Sequence, residues 1–406
     1  MGQPDKDQKA WAIKTVNNEL YKFICAMLKY LIRIIGLFFF IQCSNKDNYK
    51  VEDIPIISLN KVDISNNNLP VVVNKFIYIP LETTGNNNIG QIDEIFKTPN
   101  QIIINDHEDI IFIFSLEGKF INQINRKGKG PEEYVRIDDI SIDPDYQFLE
   151  IMDGTQKKII IYDLSGNFVT SANYENKAMN SIFMDDATIV NYVPPGSNPI
   201  NSTVSALNVI PLIGGPVNYI STNFQPGISP DSPLVPGAIL TRSNQNEVIY
   251  KEPFNDTVYT VTRDNLAPRL VFDAGKNEIK PEDFATPEKF IATYEKRIQV
   301  YDLLATQDFV CFLLSENNFR KVVLYHYPTG ENMVSAGLNG IINENDGIDF
   351  LPRGTGIENE LVSFYYPHEL RSVKLNPEGK LNEIAANLKD DDNPVVVVAN
   401  MNNDLE

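Results

Sequence analysis

The sequence predicts an all-β fold, a six-bladed β-propeller of four-stranded antiparallel blades with one short helix and a long proline-rich insert. Three observations carry this. Short apolar or aromatic runs bounded by Gly, Pro, Asn or Asp dominate the chain, helical periodicity is nearly absent, and a strand–turn–strand segment recurs at a fixed offset. The 406 residues, 43% of them apolar, suffice to bury a full core and exclude wholesale disorder.

At the amino end, residues 1–26 are polar and hold the only tryptophan, Trp11. They read as an extension from a start assigned too far upstream, with Met27 the natural beginning. Residues 27–43 carry Lys29 and Arg33, then the apolar run Ile34–Ile41, then Cys43. A charged start, a short apolar stretch and a processing point make a secretory signal. The run is too short for a membrane span, which needs about 20 apolar residues. The pattern resembles a bacterial lipoprotein signal, which implies cleavage before Cys43 and acylation of its thiol. Residues 44–74 then form a tether and lead-in, 75–400 the propeller, and 401–406 a tail.

Within the body, Lys75–Ile79, Gln101–Ile104, Lys157–Tyr162 and Lys321–Tyr325 read as strands. The segment Ile111–Ile121 aligns without a gap to Ile159–Val169, an offset of 48, with Gly118 and Gly166 in register. Each copy is strand, tight turn, strand, and the glycine suits a turn position with positive φ. A third copy is Val322–Gly330, and Leu370–Leu381, with Gly379 in its turn, is expected as a fourth. A strand-rich period of about 40–50 residues is the mark of a propeller blade. Val395–Val398 and Phe76–Ile79 are expected to pair and close the ring, which removes exposed strand edges. Two segments interrupt the rhythm. Residues 194–237 hold nine of the 25 prolines, five glycines and a single charge, Asp231, and read as one long uncharged loop. Thr286–Arg297 reads as a helix, with Thr286 as cap, Pro287 in the first turn and Phe290, Ile291 and Tyr294 as an apolar stripe.

The formal net charge of −19 disfavours binding to phosphate backbones, so no nucleic-acid partner is expected. Three cysteines and three histidines leave little material for a zinc site or disulfide framework. Cys311 lies in the apolar run Phe309–Leu314 and reads as a buried, inert thiol.

The run Arg126–Tyr134, followed by Ile140–Asp143, Ile151–Asp153 and Lys158–Tyr162, is similar to an NHL-type repeat. With Tyr78–Thr83, Asn255–Tyr259 and Asp392–Val395 it resembles the six-bladed β-propeller lipoproteins of Gram-negative gut bacteria over roughly residues 50–400. That resemblance implies fold and export and no defined chemistry.

Strand alternation places Asn105–Asp109, Arg126–Tyr134 and Asp153–Lys157 on one face. Asp106, His107, Asp109, Arg126, Lys129, Glu133 and Asp153 are therefore the candidate ligand face. Asp106 and Asp153 end second strands, where carboxylates commonly bind their own turn backbone. Gly128 and Gly130 read as turn glycines of positive φ, since their spacing is not that of a phosphate loop. In the proline-rich stretch Tyr219, Phe224, Leu234 and Val235 are candidate partner contacts. No catalytic set, cofactor site or metal-ligand spacing is read, although a propeller channel can assemble a divalent-cation site from several blades. The expected function is a non-catalytic platform, anchored in the outer membrane at the cell surface or periplasmic face, for an envelope protein, oligosaccharide or peptide. The alternative is a channel-sited, metal-dependent lyase or hydrolase.

Overall fold

The structure is a computed structural model that describes residues 54–59, 73–194, 206–212, 215–222, 238–243, 247–252, 255–278, 280–284, 286–294, 296–316, 319–335, 340–343 and 345–402. Cys43 and the whole signal-like segment lie outside the described residues.

Among the described residues two strands come first, β1 (Ile56–Ser58) and β2 (Val73–Pro80), and both serve blades formed later in the chain. Blade I follows as β3 (Ile92–Lys97), β4 (Gln101–Asp106), β5 (Ile111–Ser115) and β6 (Phe120–Ile124). Blade II is β7 (Asp139–Ile142), β8 (Phe148–Asp153), β9 (Lys158–Asp163) and β10 (Phe168–Asn173). Blade III is β11 (Asn180–Asp185), β12 (Thr188–Val193), β13 (Ala206–Pro211) and β14 (Asn218–Ser221). Blade IV is β15 (Ile239–Arg242), β16 (Val248–Lys251), β17 (Thr257–Val261) and β18 (Leu266–Asp273), and β1 adds to its outer edge parallel to β18. Blade V is β19 (Gln299–Ala305), β20 (Phe309–Glu316), β21 (Phe319–His326) and β22 (Glu331–Ser335). After a small hairpin, β23 (Ile341–Asn343) and β24 (Ile348–Phe350), blade VI is built from β25 (Gly354–Thr355), β26 (Glu360–Tyr365), β27 (Val395–Met401) and, outermost, β2. The expected closure is present: Ile77 pairs with Val398, Tyr78 with Val397 and Ile79 with Val396.

Side-chain alternation explains the packing. In β4, Ile102 and Ile104 join a core shared with blade VI, while Ile103 joins a core shared with blade II. In β9, Ile160 and Tyr162 face blade I and Ile159 and Ile161 face blade III. In β27, Val396 and Val398 face blade I while Val395, Val397 and Ala399 face blade V. Each blade is buried on both faces, so its middle strands are continuous apolar runs rather than alternating ones. Cys311 is fully buried in the core between blades V and VI, and burial pushes its thiol pKa up.

The repeated hairpins match in detail. Gly118 and Gly166 have φ of 79° and 84°. Phe114 meets Phe120 edge-on at 5.7 Å, and 48 residues later Tyr162 meets Phe168 edge-on at 6.2 Å. The third copy also holds, as β21 and β22 joined through Gly330 at φ 71°.

Three expectations need correction. The stretch 194–237 is not one loop: β13 and β14 lie inside it and complete blade III. Its prolines misled because Pro211 closes β13, a position where a missing amide costs little, and Ala206–Ile210 before it pair fully with β12. Leu370–Leu381 is not a fourth strand–turn–strand copy. Helices Pro367–Ser372 and Lys380–Ala385 fill the connection between β26 and β27, and Leu370 and Leu381 are buried by them. The fold thus has these two helices beside the expected one, Pro287–Tyr294. The stripe Phe290, Ile291 and Tyr294 lies outside the described side chains. Lastly, neither Gly128 nor Gly130 has positive φ.

The two kinds of glycine should respond differently. A Cβ on Gly118 would stand 2.1 Å from the Pro80 carbonyl oxygen, a backbone atom, at a positive φ. One on Gly130 would stand 3.1 Å from the movable Glu133 carboxylate. Gly118→Ala should cost about 2 kcal/mol or more in denaturant unfolding and Gly130→Ala less than about 1 kcal/mol. Equal losses would contradict this assignment of roles.

Candidate functional site

The loops expected to share one face do so, held together by hydrogen bonds between them. Tyr134 is fully buried, and its hydroxyl donates to the Asp109 carbonyl at 2.9 Å. The Ile137 amide donates to the Asp109 carboxylate at 3.0 Å, and Lys127 Nζ lies 3.5 Å from the same group. Lys158 Nζ donates to the Gly130 carbonyl at 2.8 Å.

Most of the predicted face is occupied with its own architecture. Asp106 accepts from the amides of Glu108 and Ile110, both at 3.0 Å, and from Gly90 at 3.3 Å. Asp153 accepts from the amides of Val135 at 2.7 Å and Gln156 at 2.8 Å. Glu133 folds back to take the Gly130 amide at 2.8 Å, and Arg126 pairs with Glu132 at 2.7 Å. His107 is exposed, with Nδ1 3.1 Å from Asp93. Lys129 is exposed. Of the apolar contact candidates, Tyr219 is a half-buried residue of β14, opposite Asn208. Phe224, Leu234 and Val235 lie outside the described residues.

Sequence reasoning anticipated a channel and named no residue as lining it. The innermost strands β3, β7, β11, β15, β19 and β25 together line a cavity of about 310 Å³. Near its loop-face end, Glu94 of β3 and Asp139 of β7 share a hydrogen bond across two blades. Asn105 Nδ2 holds Glu94 at 2.9 Å and the Ser181 amide holds Asp139 at 2.8 Å. Burial, followed by the charge of Asp139, raises the Glu94 pKa well above the carboxylate range, and burial lifts Asp139 to about 6. Toward the other end, Arg242 of β15 donates from one terminal nitrogen to the Ile142 carbonyl, while its Nε has no acceptor. Burial lowers Arg242 to about 10, a value at which it remains a cation at neutral pH.

Behind the channel wall, Glu150 of β8 is fully buried and bonded to the hydroxyls of Ser141 and Ser181. Burial raises its pKa to about 7. A lone glutamate inside the apolar run Phe148–Met152 was the available signal for this network. Among the described residues no group of three or more His, Cys, Asp and Glu is arranged to hold a metal ion. Hydroxyl side chains also line the cavity, among them Ser141, Ser181, Thr241 and Ser243.

These features define a six-bladed propeller with a polar channel. The chain belongs to the family described as a domain of unknown function, DUF4934, whose model matches residues 54–400. Its fold is similar to that of a putative exported protein from Bacteroides fragilis, at 14% identity and a TM-score of 0.68 over 86% of this chain and 99% of that one. It is also similar to a member of the duf4221 family from Bacteroides vulgatus, at 11% identity and a TM-score of 0.52 over 81% and 96% of the two chains. At these identities the likeness shows the fold alone. A search of curated proteins finds no match.

The buried acids fix a pH dependence. A carboxyl whose folded pKa is raised binds its proton more tightly in the folded state, so its contribution is full below the unfolded pKa and is lost as pH rises through the folded one. For Glu150 that window runs from the ordinary value of 4.5 to about 7. In denaturant titrations at several pH values, Glu150→Gln should lose less stability across that window than the parent. Identical losses in both would contradict an ionising, buried Glu150.

Proposed function

We propose that the protein is an exported, lipid-anchored propeller that serves as a non-catalytic binding platform in the outer envelope. The observation that carries this reading is the loop face. Its carboxylates are held by backbone amides rather than aimed at a reaction centre, which leaves a fixed, charged surface suited to recognition. Support for export comes from the Met27–Cys43 pattern and from the likeness to the putative exported protein of Bacteroides fragilis. Cys43 would carry the lipid, placing the propeller at the cell surface or the periplasmic face. The partner fitting this surface is an envelope protein, an oligosaccharide or a peptide.

Two experiments test the reading. Cells expressing the full chain should incorporate labelled palmitate, and Cys43→Ala should abolish it; label retained by the variant would remove the anchor. Immobilised protein should retain a ligand from envelope protein, glycan or peptide pools. Reversing Arg126 and Lys129 together to Glu should lower that retention about tenfold or more at unchanged melting temperature. Retention that ignores both reversals would contradict the loop face as the platform.

A further inference from the structure

The channel has two poles, and no contact within the protein uses both. Near the loop face stand Glu94 and Asp139, each held in place by a neighbour, Asn105 Nδ2 at 2.9 Å and the Ser181 amide at 2.8 Å. Toward the far end stands Arg242, tied by one terminal nitrogen to the Ile142 carbonyl and lacking an acceptor at Nε. Of the other cations lining the cavity, Lys97 pairs with Glu360 at 2.7 Å, and Arg353 lies over the Phe364 ring at 5.9 Å and acts on Asp302, a further acid of the lining. The far-end acid Asp143 accepts from the Asp145 and Gln147 amides, and its charge also acts on Arg242 without a hydrogen bond to the Arg242 Nε.

The spacing of the poles selects a ligand length. Asp139 and Ile142 are three steps apart on one strand, about 10 Å at roughly 3.3 Å per residue. A hydrogen bond at each end takes up about 3 Å. That leaves about 4 Å between opposite charges, beyond a single α-amino acid, whose ammonium and carboxylate share one carbon, and within reach of the free ends of a dipeptide. The cavity of about 310 Å³ falls at the lower limit of the small-molecule range.

We propose that the channel binds a short zwitterion of dipeptide size, its ammonium against the hydrogen-bonded Glu94–Asp139 pair and its carboxylate on Arg242. Because the carboxyl pair favours holding one proton, it presents about one negative charge, which matches one ammonium. The arginine offers its Nε, which has no acceptor within the protein, as a charge-assisted donor to a carboxylate oxygen. The site does not depend on the loop-face platform or on the lipid anchor, so either can fail alone.

The test is calorimetric titration of the full chain with alanyl-alanine, with its N-acetyl form and with its C-terminal amide. Unblocked alanyl-alanine should bind, and blocking either end should weaken binding about tenfold or more. Arg242→Gln should erase the preference for a free carboxylate while keeping that for a free ammonium. Glu94→Gln combined with Asp139→Asn should do the reverse. Melting curves report whether each variant is folded; if one is not, the three parent titrations still decide. Absence of binding by alanyl-alanine, equal binding of all three probes, or preferences that survive in folded variants would overturn the proposal.

Discussion

Burial of every blade on both faces is the constraint from which the rest of the structure follows. A four-stranded sheet with Ile102, Ile103 and Ile104 in consecutive positions has no wet side. It can be stable only with a neighbour on each face, and six such sheets satisfy one another only if the ring closes. Closure falls to β2, which crosses from the amino end to pair with β27. Without it Val396 and Val398 would lose the support of Ile77 and Ile79, and the β27 edge would lie open. The parallel strand β1 covers the outer edge of blade IV in the same spirit.

The closed ring also creates the site. Radial stacking brings the innermost strands together without filling the axis, so polar side chains there can face a cavity instead of a hydrophobic neighbour. Glu94 and Asp139 come from different blades, and the ring presses them into one hydrogen bond despite their like charge. Such a pair is costly in a closed core and tolerable where it can share a proton or meet a cation. Glu150 carries the same logic one layer back, where two serine hydroxyls replace water. The loop face differs: its carboxylates are saturated with backbone amides and serve mainly to fix loop geometry.

How much of this was legible in the sequence follows from range. The hairpins of blades I and II are local, and their glycines at 118 and 166 repeat because only a small residue takes that turn cheaply. Ring closure was legible because a valine run near the end needed an apolar partner strand. Blade III was masked because proline and low charge resemble a loop, although Ala206–Ile210 is an ordinary paired strand. The helices in blade VI span six residues each, too few for a periodic signal. A channel was legible from the propeller fold, but its lining was not, since residues as far apart as Glu94, Asp139 and Arg242 meet only after the ring forms. Asp106 and Asp153 were legible as turn carboxylates, and the structure gives both that role.

Hydrogen exchange on the intact chain tests closure most directly. The amides of Ile77 and Ile79 should exchange as slowly as those of β4 and β9, because opening the β2–β27 pair exposes cores on both sides of blade VI. Deleting 73–80 should then bring the protection of every blade down together. If β2 exchanged rapidly while β4, β9 and β27 stayed protected, or if the deletion left the remaining blades at full protection, the ring would not depend on its closing strand and the account would fail.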